Sequence, residues 1–399
     1  MAEKLIGMDP RQSIKVYPRL DQKYLKKGSL NFDLIRTKIF KYQDQPSIVV
    51  TYLIYALIAV GTGVTSVLIT GIENEIAKFK ARVTDQVING MGNNMLWGWV
   101  FFTCISTGLA FIACVLVVYL APSAAGSGTP EMITYLNGVN NSQWFGLKTF
   151  FVKAVAIILA GVGGLCVGKT GTYAHIGAMI GIGILYLPIS SLKYFHIDAR
   201  KREFVAAGMS CGMAVAFGAP IGGTLFGFEI SQPNTYWQFT SMWRTFLTCT
   251  LGVVVYSFCI DLWYFDGWVL NSAPLRFNSI TFPIPTFESI PTSIVIGSFC
   301  GLVGSGWTIG NTYVNMFRKL YYTTHLQKCA EVTVLAFMTT TMFYWLPFWA
   351  QAKCFKQPDT YSEEVYLVQY NCPKDFYNPL ATLFMNTEGT VIRTLVGGY

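Results

Sequence analysis

The chain of 399 residues is 52% hydrophobic and only 13% charged, with a formal net charge of +8. A soluble domain carries about 25% charged residues, so this composition excludes an ordinary soluble protein and predicts an integral membrane protein. The basic residues form no aromatic-interleaved patch, which argues against nucleic-acid binding. The three histidines have no ligand spacing, so we predict no metal site.

Several apolar segments approach the roughly 20 residues that a helix needs to cross the hydrocarbon core. They run from Ile48 to Ile72, Leu96 to Leu120, Ala154 to Val167 with its flanks, Phe246 to Ile260, Ile290 to Gly310 and Val332 to Ala350. Residues 1–46 hold ten Lys and Arg against five Asp and Glu, a bias typical of cytosolic segments. We therefore predict a cytosolic N-terminal segment, 1–46, and a transmembrane domain, 47–399. The mixed charges of Glu73–Asn89 indicate a helix end that leaves the bilayer.

Most of the ten cysteines lie inside apolar segments, where a thiol behaves as a small core residue. Cys354 and Cys372 differ because they flank a largely polar stretch outside any predicted span. Two readings stay open for them: a disulfide on the non-cytosolic face, or two free loop thiols.

The segments between about residues 122 and 235 are shorter than the others and are interrupted by glycine and proline. Non-helical backbone at membrane depth occurs only where it is buried in protein or lines an aqueous path. A series of interrupted helices therefore predicts a binding site near the middle of the membrane.

The first interruption is residues 126–131 (GSGTPE). Pro130 and Glu131 favour the first turn of a helix, and the glycines let the backbone approach a ligand closely. A helix N-terminus with free N–H groups attracts anions, and the Ser127 hydroxyl can add a donor. The competing interpretation is an ordinary N-cap turn.

Two further interruptions follow, residues 168–177 (GKTGTYAHIG) and 218–229 (GAPIGGTLFGFE). The first of these ends one apolar helix and starts another, which gives a second helix N-terminus at similar depth. The other has small residues at a spacing that lets helices pack closely, and considered alone it favours that packing role.

Residues 163–170 (GGLCVGKT) match the P-loop pattern of nucleotide-binding proteins. A P-loop follows a short strand, whereas the apolar run here begins near Ala154 and is too long for one. No Asp ends a nearby strand-like run, so we do not expect ATP chemistry or an enzyme.

Together and in this order, the three interruptions resemble the chloride channel (CLC) family, with its Gly-Ser-Gly-x-Pro-Glu, Gly-Lys-Glu-Gly-Pro-x-x-His and Gly-Ala-Pro-x-Gly-Gly-x-Leu-Phe-x-x-Glu motifs. Further matches are residues 136–139 (LNGV), 201–204 (KREF), 243–244 (WR) and 377–387 (YNPLATLFMNT). The resemblance covers about residues 17–398 and favours the late-endosomal and lysosomal exchanger branch. It implies an all-α polytopic fold with broken, tilted and re-entrant helices, in which the first inverted repeat is complete and the second only begun.

The resemblance also implies a site. Ser127 is similar to the serine that coordinates the central chloride, and the start of the second motif to the helix end that donates N–H groups to anions. The implied chloride-binding positions are Gly126, Ser127, Gly128, Gly168, Lys169, Thr170, Gly171 and Thr172. Glu131, Lys169 and His175 are expected to hold the helix ends in place. Chloride is the transported ion, no cofactor is implied, and the family forms homodimers in the lipid bilayer; the sequence does not identify an accessory subunit.

This sequence departs from the family at both proton-coupling carboxylates. The gating glutamate falls at Thr170, and the intracellular proton glutamate, which follows the position of Glu229, falls at Ile230. Neither side chain can carry a proton, so we expect passive chloride conduction. The alternatives are a non-conducting or degenerate subunit and a chloride/proton exchanger with another proton route.

The family's second repeat adds another anion-binding helix start and a chloride-coordinating tyrosine, and cytosolic CBS domains follow it. None of these motifs lies in the 399 residues, so we expect either a fragment of a longer product or an incomplete pore. A stop codon after Tyr399 would favour the non-conducting alternative. The branch resemblance implies an endosomal, lysosomal or vacuolar membrane rather than the plasma membrane.

Overall fold

The computed structural model describes residues 48–90, 94–139, 141–189, 192, 195–196, 198–231, 239–264, 287, 289–350, 353–357, 367–373, 375–389 and 391. The expected cytosolic segment, 1–46, lies outside these residues. The chain divides into two compact units, Met1–Thr51 and Tyr52–Tyr399, and the helix packing and the candidate site belong to the second.

Helices make up nearly all of the described structure, which confirms the predicted all-α polytopic fold. They are α1 (Ile48–Gly90), α2 (Met95–Val115), α3 (Thr129–Leu136), α4 (Leu147–Val162), α5 (Lys169–Leu185), α6 (Asp198–Phe217), α7 (Pro220–Ser231), α8 (Phe239–Tyr264), α9 (Ser289–Tyr321), α10 (His325–Trp349) and α11 (Pro379–Met385). A π-helical turn (Leu116–Leu120) extends α2, and 3₁₀ turns cover Pro122–Ala124 and Ser142–Phe145. Two short antiparallel strands, β1 (Phe355–Lys356) and β2 (Phe376–Tyr377), pair Phe355 with Tyr377.

Five of the described helices are long and apolar enough to cross a membrane: α1, α2 with its extension to Leu120, α8, α9 and α10. They match five of the predicted spans. The remaining prediction, Ala154–Val167 with its flanks, is wrong at its C-terminal bound, because α4 ends at Val162 after 16 residues. The chain turns at Gly164, where φ is +76°, a left-handed conformation that glycine adopts readily and that commonly ends helices.

The polar half of α1 continues the helix as expected, but its charged side chains are buried in protein. Glu73, Lys80 and Asp85 are only 1%, 5% and 6% exposed. The Lys80 ammonium donates to the Val162 carbonyl at 2.5 Å, and the Asp85 carboxylate accepts from the backbone N–H groups of residues 369 and 370. These partners offset the free-energy cost of removing charge from water. This half of α1 is therefore packed within the protein rather than exposed to solvent.

Glycines let α5 and α6 pack backbone against backbone. A Cβ added to Gly177 would overlap the Gly208 carbonyl, and one added to Gly208 would overlap that of Gly177. At Gly181 an added Cβ would lie 2.6 Å from the Phe204 carbonyl oxygen. The packing role predicted for the third interruption holds as well, since a Cβ at Gly223 in α7 would lie 2.6 Å from a carbonyl of α6.

Helix α9 differs from the others because none of its 33 residues is buried. Its glycines at 297, 301, 304, 306 and 310 have no described neighbour within 4 Å of an added Cβ. The position of α9 therefore depends little on contacts within the described part of the chain.

Candidate functional site

The first interruption forms a tight loop that leads into α3. Gly126 and Gly128 have φ of +75° and +86°, values that favour glycine, and Gly128 is the N-cap of α3. The Ser127 hydroxyl oxygen accepts the Thr129 backbone N–H at 3.3 Å. This bond does not use the serine's own O–H, which can donate to a ligand.

The second interruption starts α5 at Lys169, with Gly168 as an N-cap that offers no side-chain acceptor. The first N–H groups of α5 therefore depend on other partners. The Lys169 ammonium lies 2.7 Å from a carboxylate oxygen of Glu73, a residue of α1. This ion pair, whose carboxylate is buried, joins the start of α5 to α1.

The N-terminal ends of α3 and α5, which follow the first and second interruptions, lie against each other. A Cβ added to Gly171, in the first turn of α5, would lie 2.6 Å from the Ser127 Cβ and 3.3 Å from the Ser127 carbonyl oxygen. Ser127 therefore lies beside the N-terminal turn of α5 as well as at the start of α3. Two helix N-termini at one point make a locally positive environment.

A buried lysine binds the loop that precedes α3 and the imidazole of His175 in α5. Lys153 of α4 is 3% exposed, and its ammonium donates to the Gly126 carbonyl at 3.1 Å and to His175 Nδ1 at 2.9 Å. An ammonium has no acceptor, so Nδ1 accepts and Nε2–H donates to the Trp144 carbonyl at 3.1 Å. The imidazole packs against Gly128, where an added Cβ would overlap it. His175 thus contacts the loop at Gly128 and binds the same lysine as Gly126.

A cavity of about 940 Å³ lies next to the loop, between α2, α4, the start of α5 and the adjoining ends of α9 and α10. Gly126, Thr172 and Lys153 line it. The other predicted chloride-binding positions, Ser127, Gly128, Gly168, Lys169, Thr170 and Gly171, are not part of its wall.

The far side of the cavity is basic. Arg318, Lys319 and Lys328 line it together with one acid, Glu331. Arg318 and Glu331 form an ion pair at 2.7 Å. Together with Lys153, the described wall therefore has an excess of positive charge.

Thr170 and Ile230, the two positions at which the family resemblance predicts a replaced glutamate, have different surroundings. Thr170 is partly exposed in the first turn of α5. Ile230 packs against the buried cluster that contains Met132, Tyr135 and Met209, whereas its neighbour Glu229 is exposed. An apolar side chain suits the position of Ile230, because an ionised carboxylate there would be poorly solvated.

Two other sequence matches hold helices together away from the loop. The Glu203 carboxylate, in the KREF segment of α6, binds Arg200 at 2.9 Å and Arg244 at 3.2 Å. It also accepts the hydroxyl protons of Tyr55 and Ser241, both at 2.9 Å. This cluster ties α1 and α8 to α6.

Cys354 and Cys372 are joined by a disulfide, with an S–S distance of 1.99 Å. Cys354 follows α10, and Cys372 lies in the described segment 367–373, whose backbone binds Asp85. The bond thus fastens the region after α10 beside the end of α1.

The P-loop pattern has the wrong structural context. The segment before Gly163 is helix α4, whereas a P-loop follows a strand of an α/β sheet. This supports the prediction that residues 163–170 do not form a nucleotide site.

Sequence reasoning missed Lys153, Glu73 and Lys80. Lys153 directly precedes the predicted apolar run at Ala154, and Glu73 directly follows the run that ends at Ile72. An ionisable residue at membrane depth marks a functional position by default, and that signal could have identified Lys153 and Glu73. The partners of Lys80 are distant in sequence, so its role could not be inferred.

Comparison with known proteins decides the family. A family profile described as "Voltage gated chloride channel" matches residues 109–396. The chain belongs to this family. Among relatives, the H(+)/Cl(-) exchange transporter 7 of Mus musculus is 31% identical over 357 residues, covering 86% of this chain and 44% of that protein. The Chloride channel protein CLC-a of Arabidopsis thaliana is 29% identical over 400 residues, covering 92% and 50%.

A solved structure shares the fold. The crystal structure of a eukaryotic CLC transporter aligns with a TM-score of 0.60 at 20% identity, covering 73% of this chain and 49% of that one. The chain thus spans about half the length of the relatives that it matches.

Proposed function

We propose that this chain contributes a passive pathway for chloride across a membrane, without a glutamate gate. The observation that carries the proposal is the meeting of the α3 and α5 N-termini at Ser127 and Gly171, next to a cavity with a buried lysine in its wall. Helix N-termini bind anions through free N–H groups and the helix dipole.

The charges around the cavity support an anion over a cation. Lys153 carries a buried positive charge beside Gly126, and the basic far wall raises the local concentration of anions. The Ser127 hydroxyl supplies a directed donor where the two helix ends meet. A small anion such as chloride fits donors of this kind, and chloride is the ion that the family resemblance implies.

The absence of proton coupling follows from two residues. Thr170 has a hydroxyl that does not ionise at physiological pH, so it can neither compete with chloride nor carry a proton. Ile230 is apolar and packs in a core cluster. With both carboxylates replaced, neither position can carry a proton in exchange for chloride, so chloride movement is not coupled to proton movement.

One observation favours chloride/proton exchange as a second candidate. Several relatives are named H(+)/Cl(-) exchange transporters, and Glu73 places a buried carboxylate at the start of α5, bound to Lys169. Exchange would require Glu73 to release Lys169 and take up a proton during transport.

Reconstitution into liposomes distinguishes the two candidates. Purified protein in vesicles with an outward KCl gradient, made permeable to K⁺ with valinomycin so that the cation follows, should release chloride, measured with a chloride electrode, while the external pH stays constant. Protein-free vesicles provide the background leak. Proton movement in fixed proportion to chloride would establish exchange and reject passive conduction, and chloride release no faster than the background leak would reject both.

A carboxylate restored at the gating position tests whether that position faces the pathway. We expect Thr170→Glu to make chloride flux fall as pH rises, because the ionised carboxylate competes with chloride, whereas Thr170→Gln has a similar size and should show no such dependence. Equal pH profiles for the two variants would place Thr170 away from the pathway.

We further propose that residues 47–399 form a membrane domain of an endosomal, lysosomal or vacuolar membrane, with residues 1–46 in the cytosol and two chains per particle. The positive-inside bias and the branch resemblance support this arrangement. Protease protection of an N-terminal tag in isolated vesicles would test the orientation, and single-molecule photobleaching would test the chain count. Digestion only after the vesicles are permeabilised would contradict a cytosolic N-terminus.

A further inference from the structure

Two cysteines from different helices lie side by side in the cavity wall. The sulfurs of Cys114 in α2 and Cys329 in α10 are 3.5 Å apart. Cys329 is 3% exposed, whereas Cys114 is partly exposed and lines the cavity. The Cys114 thiol also points at the Lys328 carbonyl at 3.9 Å. One thiol of the pair can therefore be reached from the cavity, and the other lies directly behind it.

We propose that Cys114 and Cys329 form a redox-modification site that closes to a reversible disulfide. A hydroperoxide is the oxidant of suitable size. The Cys114 thiolate attacks one peroxide oxygen and becomes a sulfenic acid, and with hydrogen peroxide the leaving hydroxide takes a proton to form water. The Cys329 thiolate then displaces hydroxide from the sulfenic sulfur, which forms the S–S bond and a second water. A thiol reductant reverses the reaction by disulfide exchange.

The helix packing favours this closure. A disulfide requires an S–S distance of about 2.05 Å, so the sulfurs, now 3.5 Å apart, need to approach by about 1.5 Å. The two helices are held together at their other ends, where the Tyr344 hydroxyl donates to the Met95 carbonyl at 2.9 Å. The thiols therefore stay neighbours whether or not they are bonded.

The position of the pair along α10 explains why its bond would be reversible. Cys329 lies in the second turn of α10, whereas Cys354, of the existing disulfide, follows its end. A helix of 25 residues is about 37 Å long, so the two cysteine pairs lie at opposite ends of a membrane-spanning helix. If the existing disulfide faces the oxidising compartment, the Cys114 pair lies towards the reducing cytosol, where disulfides are mostly transient and redox-sensing.

Mass spectrometry of the full chain in lipid nanodiscs tests the site. The protein is treated with hydrogen peroxide, denatured, alkylated with N-ethylmaleimide and digested. We expect a linked peptide pair that contains Cys114 and Cys329, loss of both alkylation products from the same molecules, and their recovery after dithiothreitol. Cys114→Ser should remove the linked peptide and leave Cys329 fully alkylated.

Cys104→Ser is the matched control, because Cys104 is an exposed cysteine on the same helix. It should leave the linked peptide unchanged. The site is rejected if Cys104 and the exposed Cys300 become oxidised while Cys114 and Cys329 remain alkylatable. This test needs only the protein without substitutions.

The outcome is independent of chloride transport. A linked peptide in protein that releases no chloride in the liposome assay would contradict the proposed function alone. Chloride release by protein that never forms the link would contradict the redox site alone.

Discussion

The glycines of α5 and α6 and those of α9 all lie within helices, yet their surroundings are opposite. At Gly177 and Gly208 an added Cβ would overlap backbone of the facing helix, whereas at Gly301 and the other glycines of α9 it would meet open space. The first set keeps two helices in close contact, while no described contact requires the second set.

This difference shows that the sequence gives the positions of the glycines but does not show which of them lie at a close contact between helices. The close packing of α5 on α6 positions the start of α5 and therefore the meeting point at Ser127. Helix α9 reaches the cavity through residues near its C-terminal end, Asn315, Arg318 and Lys319. Four substitutions test the contrast, from the largest expected effect to the smallest.

The largest effect is expected for Gly177→Ala. Its Cβ would overlap the Gly208 carbonyl, and backbone on both sides cannot rotate away, so we expect the free energy of unfolding to fall by about 3 kcal/mol, the upper part of the range for overpacking. Thermal unfolding in detergent measures it. Gly183→Ala on the same helix is the control, because an added Cβ there has nothing within 4 Å. Equal unfolding midpoints for the two variants would show that α5 and α6 do not pack in this way.

Lys153→Met should come next. It removes the ammonium that holds the Gly126 carbonyl and His175 while keeping a side chain of similar length. Hydrogen bonds to charged groups contribute about 1.5–3 kcal/mol each, and burial of the apolar replacement offsets part of the loss, so we expect about 2–3 kcal/mol.

The liposome assay on Lys153→Met should also show a loss of most chloride release. Lys148→Met is the control, since Lys148 is exposed on the same helix. If the variant released chloride at the rate of the unsubstituted protein, Lys153 would have no role in the chloride pathway.

Glu73→Gln should have a smaller effect. The amide keeps a hydrogen bond to Lys169 but loses the charge, and Lys169 retains some access to solvent, so we expect about 1–2 kcal/mol. Glu75→Gln is the control, because the Glu75 side chain is 47% exposed in its pair with Lys78, and ion pairs with an exposed partner contribute about 0–1 kcal/mol. A Glu73 variant as stable as the Glu75 variant would mean that the Lys169 pair does not hold α5.

The smallest effect is expected for Gly301→Ala. With open space around an added Cβ, the only change is a better helix former in place of glycine, which favours the helix by up to about 1 kcal/mol. The unfolding midpoint should stay the same or rise slightly. A loss of stability as large as that of Gly177→Ala would show that Gly301 is packed against another element, and the two sets of glycines would then not differ.

Much of the architecture could be predicted because the signals are local. A run of apolar residues long enough to span a bilayer is a property of the segment itself, and five of the predicted spans match helices of the structure. The helix starts at Thr129, Lys169 and Pro220 also follow from local glycine and proline. The bounds of α4 were misjudged because Gly163 and Gly164 are apolar in composition but end the helix by their conformation.

The sequence by itself determined the membrane class, the family motifs and the presence of Thr170 and Ile230 within two of those motifs, because each depends only on the identity of neighbouring residues. Only the tertiary structure decided that Ser127 lies against Gly171, that Lys153 binds Gly126 and His175, that Glu73 pairs with Lys169, and that Cys114 lies beside Cys329. Each of these contacts joins residues on different elements of the chain. They exist because helices broken by glycine approach one another closely enough for polar groups to satisfy each other away from water.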